Sequence, residues 1–591
     1  MRPRRLVITP RHGWLLVFLL AALVVRPGRA QQPPSASGTL TLSIVGTNDV
    51  HGYVFETRGR GGLEILGGYL RNLRAARAAD GGAVLLLDAG DTYQGGIESD
   101  MSEGSLVIDA YNALGYTAAA IGNHDFEFGT AESPDPGGVP GDPRGALKAR
   151  ARQARFPMLA ANLVEATTGR LVDWPNVSPS VLIDVAGVQV GIIGVMTMDA
   201  LQSTLAANVI GLRMAPIADA IREQAGALRA RGADVVIVTA HAGGRCTRFD
   251  APDDLSSCDR GSEIFEAARQ MPVGLVDAIV AGHTHAGLAH EVNGIAIVEA
   301  MSLGQYFARV DLTIDVRTHR RVASRPFAPQ ELCAEVVPGT GSCSPDTERA
   351  SSGGRVVATY EGRPVVRDAE VRQAMAPVMD QVRAQRSVPL GPVLETSLDR
   401  AGDTESPLGN LFVDAIRDAF PGADAAVNNN GRGGLRADLD PGPLTYGALY
   451  DVFPFDNRLV ELSLRGEDLR RVFEDQVREG TRGGLGISGL RVRARCTGGV
   501  LSVDLTRASG ATVRPDETLR VVTTDQLASR GIFGIFPSPE SVRHEAPIAR
   551  EAVERWMRSR GGRLRASEFA DGERPRWDLP APGDTACLAT Q

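Results

Sequence analysis

Short, mostly apolar runs recur through the first half of the chain, and each ends at glycine or at a polar residue. Five of them cover residues 42–45, 84–87, 118–121, 235–238 and 277–280. Runs of this length and composition are typical of strands buried in a sheet. Between them, residues 63–79 and 217–231 place apolar side chains at helical spacing. This alternation predicts an α/β fold in which the polar residues after each strand lie at one sheet edge.

The length of the chain predicts two domains, because 591 residues exceed what one hydrophobic core usually holds. We expect the first domain over residues 39–327, a linker over 328–390 and a second, smaller domain over 391–580. Residues 134–141 and 338–354 are rich in Pro, Gly and Ser and are predicted loops. Residues 368–386 carry Val371, Met375 and Val382 at helical spacing and are predicted to form a connecting helix, although Pro377 can kink it.

The first thirty residues have the pattern of a signal peptide. Four arginines precede an apolar run over residues 14–25, and the small residues Gly28 and Ala30 suit cleavage before Gln31. The apolar run is too short for an ordinary membrane span, which favours a removed signal over an anchor. We therefore expect a periplasmic or secreted protein with no membrane anchor after cleavage.

The charge of the chain argues against nucleic acid as a partner. The formal net charge is -8, and loss of residues 1–30 would remove six arginines and no acidic residue. A mature chain that is still more acidic has no bulk positive charge with which to bind a phosphate backbone. The oligomeric state is left open.

The six cysteines of the chain favour disulfides, because their number is even and the chain is predicted to be exported. Cys246 lies close to Cys258 in the sequence, and Cys333 lies close to Cys343. Cys496 and the distant Cys587 form the remaining pair by elimination. Six cysteines permit 15 pairings, so the sequence leaves the connectivity open.

The polar residues that follow the apolar runs suit a pair of divalent metal ions. A single histidine after a strand, or a single Gly-Asp pair, is more often structural. Here, however, five of the nine histidines lie in these short polar segments, and packing does not explain that concentration. Oxygen and imidazole ligands with a bridging carboxylate are what two such ions need. The candidate ligands are Asp49, His51, Asp91, Asn123, His241, His283 and His285.

Three motifs resemble those of the calcineurin-like metallophosphoesterases, and within them the 5'-nucleotidase family that includes the periplasmic UDP-sugar hydrolases. They are Thr47-Asn48-Asp49-Val50-His51-Gly52, Leu87-Asp88-Ala89-Gly90-Asp91 with Gln94-Gly95, and Gly122-Asn123-His124-Asp125-Phe126. The resemblance covers nearly all of residues 39–580. It implies a four-layer αββα sandwich as the first domain and a smaller α/β substrate-binding domain as the second.

The resemblance also implies a role for each site residue. One metal, Zn, Mn or a similar ion, would be held by Asp49, His51, Asp91 and His285. The other would be held by Asp91, Asn123, His241 and His283. Asp91 would bridge the two ions. His124 would stabilise the phosphoryl charge or protonate the leaving oxygen, oriented by Glu127, which stands where the family usually has Asp.

The second domain carries three further motifs that resemble the family's substrate-binding domain. They are Leu408-Gly409-Asn410-Leu411, the Gly-rich segment from Asn429 to Arg436, and Phe453-Pro454-Phe455-Asp456-Asn457. A Gly-rich turn ending in Arg suits a phosphate or carboxylate, but it is equally typical of a tight surface loop. The resemblance implies that four residues contact substrate: Asn430, Gly433, Arg436 and Phe455. The family's second nucleobase-stacking ring is replaced by Gln526, unless Phe533 takes its place.

The sequence therefore predicts a metal-dependent phosphoester hydrolase, most specifically a 5'-nucleotidase. A hydroxide bound to two metals would release phosphate from nucleoside 5'-monophosphates, so no serine or cysteine nucleophile is needed. Three alternatives stay open. They are a nucleotide-sugar or dinucleotide pyrophosphate hydrolase, a thiosulfohydrolase-like enzyme, and a binding protein without activity.

Overall fold

The computed structural model describes residues 38–579 except 132–137, 345–346, 348–353, 401–404, 432–433, 479–483, 498, 530 and 535–545. The predicted signal peptide, Gly433 and Cys587 lie outside the described residues. Among the helices that are described, none has both the length and the apolar character needed to cross a membrane.

Two sheets form the centre of the first domain. In the described chain the first sheet has seven strands, in the order Arg321–Glu331, Tyr306–Asp315, Thr39–Thr47, Ala83–Asp88, Ala118–Ala120, Met158–Leu159 and Val177–Ser178. The second has six, in the order Gly287–Val292, Ile295–Ala300, Ala278–Ala281, Val235–His241, Val188–Met196 and Ser180–Val185. Within each sheet, the strands that precede the candidate ligands run parallel to one another, although Thr39–Thr47 also pairs antiparallel with Tyr306–Asp315. Their carboxyl ends therefore share one edge.

Alternating side chains of these strands build three apolar layers. Leu42 and Ile44 enter the core between the two sheets, where they join Val190 and Val235 of the second sheet. Val45 faces the opposite way, towards the helices that cover the first sheet. Because successive strand residues point to opposite faces, Thr39–Thr47 is buried on both sides.

Helices cover the outer face of both sheets. Leu63–Asp80 and Ser105–Leu114 pack on the first sheet, whereas Ile217–Ala230 and Glu263–Arg269 pack on the second. The longest of these, Leu63–Asp80, ends at Gly81, whose φ of 78° is a left-handed conformation that suits glycine at a helix end. The four layers confirm the predicted αββα architecture.

Shorter elements complete the region up to the connecting helix. The helices are Ile97–Asp100 and Gly145–Gln153, with 3-10 turns at His124–Phe126, Ala206–Asn208 and Leu255–Ser257. The strand pairs are Leu163–Glu165 with Leu212–Met214, Glu335–Val336 with Val356–Val357, and Thr359–Tyr360 with Arg363–Pro364. The turn at His124–Phe126 and the helix at Ile97–Asp100 both lie beside the site described below.

The second domain is a smaller α/β unit around three described sheets. One contains Leu459–Arg465, Thr518–Thr524, Ala425–Asn429 and Leu485–Ser488; another contains Gly442–Thr445, Pro389–Leu394 and Arg563–Leu564; and the third contains Val500–Arg507, Leu490–Thr497 and Trp577–Asp578. Its helices are Pro407–Asp418, Tyr446–Val452, Gly466–Arg478, Asp525–Ser529 and Ala549–Arg560, with a 3-10 turn at Ala566–Glu568. This separate α/β unit confirms the predicted fold class.

The predicted connecting helix spans Ala369–Arg386. Asp368 caps its first turn by accepting hydrogen bonds from two backbone amides, and Pro377 lies inside the helix without ending it. Val371 and Met375 pack in the first domain, whereas Val382 packs with Tyr450 of the second. One helix thus packs in the core of the first domain and contacts the second domain through a small cluster of Val382, Ile97 and Tyr450.

The two close cysteine pairs form disulfides, as expected. Cys246 is bonded to Cys258, and Cys333 is bonded to Cys343. The third predicted pair depends on Cys587, which lies outside the described residues.

Candidate metal centre and adjoining cavity

The candidate ligands converge at the carboxyl ends of five strands. Asp49 follows Thr39–Thr47, Asp91 follows Ala83–Asp88, and Asn123 follows Ala118–Ala120. His241 is the last residue of Val235–His241, and His283 follows Ala278–Ala281. Because these parallel strands end at one edge, residues far apart in the sequence meet in one place.

Two groups of potential ligand atoms result. Asp49, His51 and His285 form the first group, and Asp91, His241 and His283 form the second. In the first, His285 Nε2 lies 3.3 Å from Asp49 Oδ1 and 3.1 Å from His51 Nε2.

The second group includes the amide of Asn123. His241 Nε2 lies 2.9 Å from Asn123 Oδ1, 3.2 Å from Asp91 Oδ2 and 3.2 Å from His283 Nδ1. Asp91 faces both groups, because its Oδ2 also lies 3.8 Å from His51 Nε2. Asp91 therefore lies between the two groups of potential ligand atoms.

The chemistry of these atoms fits cations. His51 Nδ1 and His241 Nδ1 lie 2.9 and 2.8 Å from the carbonyl oxygens of Gln94 and Ala89, so in neutral rings each Nε2 is a lone-pair acceptor turned towards other acceptors. Asp49 Oδ1 is buried and has no hydrogen-bond donor. Buried acceptors are normally satisfied, and converging acceptors are satisfied together by a positive ion.

The pKa values of two of these histidines shift in opposite directions. Burial lowers the pKa of His51 to about 3, which keeps its Nε2 free for coordination. Burial also opposes a charge on His241, yet the nearby Asp91 carboxylate outweighs it and raises the pKa of His241 to about 10. The site therefore stabilises positive charge next to Asp91.

The backbone at the candidate ligands is strained. Positive φ angles occur at Asp49 (48°), His51 (50°), Asp91 (54°), His283 (75°) and His285 (52°). Residues with a side chain adopt this left-handed region rarely, and such strain persists only where the surroundings hold it. Five of the seven candidate ligands have a positive φ, which no sequence pattern predicts.

Gly122 allows the close approach of two loops at this edge. A Cβ at this position would lie 2.2 Å from both the backbone N and Oδ1 of Asp91. The glycine in the Gly-Asn-His-Asp motif is therefore required by the space that Asp91 occupies.

His124 and Glu127 form a pair beside the metal groups. His124 Nδ1 lies 2.7 Å from Glu127 Oε1, one 3-10 turn further along the chain. Burial disfavours a charged imidazole, but Glu127 and then Asp91 raise the pKa of His124 to about 9. The longer side chain of Glu127 reaches the histidine, and the His124 ring centroid is 5.1 Å from that of His51.

A cavity of about 370 Å³ opens from the metal groups onto the second domain. The first domain contributes Asp91, Asn123, His124, Glu127, Ser203, His283 and His285 to its wall. The second domain contributes Asn428, Asn429, Gly434, Arg436, Phe453, Phe455, Asn457, Thr524 and Gln526. A ligand in this cavity would touch both domains.

Two of the four predicted substrate contacts lie in this wall. The guanidinium carbon of Arg436 is 5.1 Å from the centre of the Phe455 ring, a cation–π distance. Arg550 supports the loop behind them by donating to the carbonyl oxygen of Phe455 at 3.0 Å. Asn430, by contrast, is 3% exposed and is packed against Gly409 and Gly486.

The sequence did not identify the polar residues that share this wall. Asn428, Asn457 and Ser203 line the cavity; Asn457 ends the motif that begins at Phe453 but was not a predicted contact, and Asn428 and Ser203 lie outside the motifs. Gln526 does line the cavity at the place where a second aromatic ring was considered. Phe533 is 2% exposed and packs in the core near Leu527.

One residue connects the metal groups directly to the second domain. The backbone carbonyl of Gln94 lies 2.9 Å from His51 Nδ1, and its side-chain Nε2 donates to Pro454 O at 2.9 Å. Pro454 immediately precedes Phe455. Nearby, the Tyr450 hydroxyl donates to Asp100, so the segment 94–100 contacts the second domain at both ends.

Two family models match the chain. The calcineurin-like phosphoesterase model matches residues 42–287, and the model of the 5'-nucleotidase C-terminal domain matches residues 384–535. The chain belongs to the 5'-nucleotidase family of calcineurin-like phosphoesterases. It is accordingly a metal-dependent phosphoester hydrolase, as the sequence predicted.

Proteins of this family match the chain at low sequence identity. The chain is 26% identical over 588 residues to endonuclease YhcR of Bacillus subtilis, covering 95% of this chain but only 44% of that protein. It is 27% identical to protein UshA of Yersinia enterocolitica, covering 73% of this chain and 76% of that one. The 5'-nucleotidase precursor of Thermus thermophilus has the same fold, with a TM-score of 0.63, 23% identity, and coverage of 91% of this chain and 99% of that one.

Proposed function

We propose that the protein is an exported, two-metal 5'-nucleotidase that converts nucleoside 5'-monophosphates to nucleoside and phosphate. The observation that carries this proposal is the cavity in which Asp91, His124, Arg436 and Phe455 meet. Chemistry from the first domain and a cation–aromatic pair from the second would act on one molecule. Export is supported by the N-terminal pattern of residues 1–30 and by the two disulfides.

The metal groups would hold the phosphoryl end of the substrate. Asp49, His51, Asp91 and His285 would ligate one ion, and Asp91, Asn123, His241 and His283 the other. When bound, two divalent ions supply Lewis acidity and a deprotonated water at neutral pH. The protein's own contribution is the fixed geometry of the ligands, which the backbone contacts of His51 and His241 maintain.

His124 would act on the opposite side of the phosphoryl group, near the leaving oxygen. Glu127 holds one ring nitrogen at 2.7 Å, which leaves the other to face the reacting group. A positioned imidazole can donate a proton to the leaving oxygen or stabilise the phosphoryl charge.

The second domain would place the nucleoside. Arg436 stacks over the Phe455 ring and together they form a flat, cationic surface in the wall of the cavity. Such a surface suits a base or a ribose next to an anionic phosphate. Binding energy gained here would position the phosphorus at the metal groups.

Phosphate release from a panel of substrates tests the proposed function. We expect adenosine 5'-monophosphate and related monophosphates to be cleaved with added Mn²⁺ or Zn²⁺, and activity to disappear on chelation and return on readdition. Preferential cleavage of nucleotide sugars or dinucleotides would establish the pyrophosphate alternative instead. Sulfate release from a protein-bound thiosulfonate would establish the thiosulfohydrolase. Absence of turnover on every substrate would leave a binding protein.

Removal of either second-domain contact should change substrate preference. We expect Arg436→Ala and Phe455→Ala to reduce kcat/KM for nucleoside monophosphates by roughly 10- to 100-fold, because each loses positioning energy of about 1.4 to 2.7 kcal/mol. Hydrolysis of p-nitrophenyl phosphate should change little, since this small ester needs only the metal groups. The ratio of the two kcat/KM values is the measurement.

Arg520→Ala is the matched control for this pair. Arg520 is also an arginine of the second domain, but it is exposed and bonds to Glu461 instead of lining the cavity. This variant should keep the wild-type ratio. Equal losses on both substrates in Arg436→Ala and Phe455→Ala would mean that these residues support the fold instead of the ligand.

A further inference from the structure

A buried glutamate behind the metal groups contacts the turns that carry their histidines. Glu299 lies in the strand Ile295–Ala300 and is 0% exposed. Its Oε1 accepts a hydrogen bond from Thr284 Oγ1 at 2.6 Å. Its Oε2 accepts one from the backbone amide of Gly244 at 3.2 Å.

These two contacts reach three candidate ligands. Thr284 stands between His283 and His285, which belong to different metal groups. Gly244 lies three residues after His241, and its carbonyl oxygen lies 2.7 Å from the same Thr284 hydroxyl, whose single proton is shared between this oxygen and Glu299. The carboxylate therefore joins the loop after His241 to the turn that bears the other two histidines.

The turn needs such support because its backbone is strained. His283 and His285 both have positive φ, at 75° and 52°. A side chain that hydrogen-bonds the residue between them opposes relaxation of the turn to an ordinary conformation. Burying a carboxyl group is costly unless it is hydrogen-bonded, and in a strand otherwise built from Ile, Ala and Val an apolar residue would pack at no such cost. The hydrogen bonds of Glu299 to Thr284 and Gly244 therefore explain why this position has a carboxyl group.

We infer that Glu299 is a positioning residue that fixes the histidines of both metal groups relative to one another. This inference rests on the proposed two-metal site and extends it to a residue outside the ligand set. Loss of the carboxylate should loosen the turn at Thr284 and the loop at Gly244 together. The expected consequence is weaker metal binding at both groups, with the ligands themselves intact.

Metal titration of variants tests the inference. We expect Glu299→Ala to raise the concentration of Mn²⁺ needed for half-maximal binding by roughly 10- to 100-fold, the usual effect of removing a residue that orients metal ligands. Glu299→Gln, which keeps an acceptor for Thr284, should recover part of the affinity. Thr284→Val should weaken binding in the same direction. The effects of Glu299→Ala and Thr284→Val in the double variant should be less than additive, because the two side chains share a hydrogen bond.

Glu331→Ala is the matched control. Glu331 is another buried glutamate of the same domain, 7% exposed, and accepts hydrogen bonds from Ser342 Oγ at 2.6 Å and the Cys343 amide at 3.2 Å. Its removal should lower the Tm without changing Mn²⁺ affinity. Bound metal is measured by mass spectrometry after dialysis, and folding by circular dichroism.

Two results would overturn the inference. One is wild-type Mn²⁺ affinity in folded Glu299→Ala; the other is an equal change in affinity in Glu331→Ala. If Glu299→Ala does not fold, Thr284→Val decides, because it removes only a hydroxyl group. A wild-type protein that binds fewer than two ions would instead contradict the proposed two-metal site.

Discussion

Asp91→Asn is expected to abolish phosphate release and to remove most of the bound metal. Asp91 Oδ2 lies 3.2 Å from His241 Nε2 and 3.8 Å from His51 Nε2, so its carboxylate faces both metal groups. A unit charge about 4 Å from an ion contributes on the order of 4 kcal/mol at an effective dielectric constant near 20. Its loss corresponds to roughly a thousand-fold in affinity for each ion. Metal content and turnover should therefore fall together.

Asp277→Asn provides the comparison for this variant. Asp277 is a buried carboxylate of the same domain, but it bonds to Arg229 at 2.6 Å and lies 3.1 Å from Arg321. We expect it to lower stability and leave metal content unchanged. Two full equivalents of metal and normal turnover in Asp91→Asn would show that Asp91 is not a bridge.

His124→Ala should lose rate and retain metal. Its imidazole is paired with Glu127 and lies in the wall of the cavity, while the candidate ligands form their own groups without it. Loss of a positioned acid or charge stabiliser reduces kcat by roughly 100-fold or more. Single-turnover phosphate release and metal analysis on the same sample separate the two effects.

Glu127 variants refine this second prediction. Glu127→Gln keeps the length of the side chain but removes the charge beside His124 Nδ1, and we expect a smaller loss of rate than in His124→Ala. Glu127→Asp keeps the charge but shortens the side chain. Loss of metal in His124→Ala would instead make His124 a ligand.

The residues of the metal groups could be predicted from the sequence because the ends of buried strands can be recognised in it. Each of Asp49, Asp91 and Asn123 follows a short apolar run, and parallel strands bring such ends to one edge. The close cysteine pairs and the helices at Leu63–Asp80 and Ile217–Ala230 were likewise predictable from local spacing. Local patterns suffice where the physical cause is local.

Other features depend on contacts between distant segments. The positive φ angles at the ligands and the support from Glu299 arise only when several loops pack together. The wall formed by Asn457 and Ser203 needs the two domains side by side. The Gly-rich motif illustrates the same limit, since Asn430 carries the resemblance whereas Asn428 faces the cavity.

The hydrogen bonds of Gln94 link the position of one metal ligand to the position of the second domain. The backbone carbonyl of Gln94 orients His51, and the side-chain amide of Gln94 donates a hydrogen bond to Pro454 O. If the second domain moved away, the amide would exchange Pro454 for water, and the loop that holds His51 would lose an anchor. The position of His51 would then depend on how close the two domains are, so metal-ion exchange should be faster when the domains are apart than when they are together.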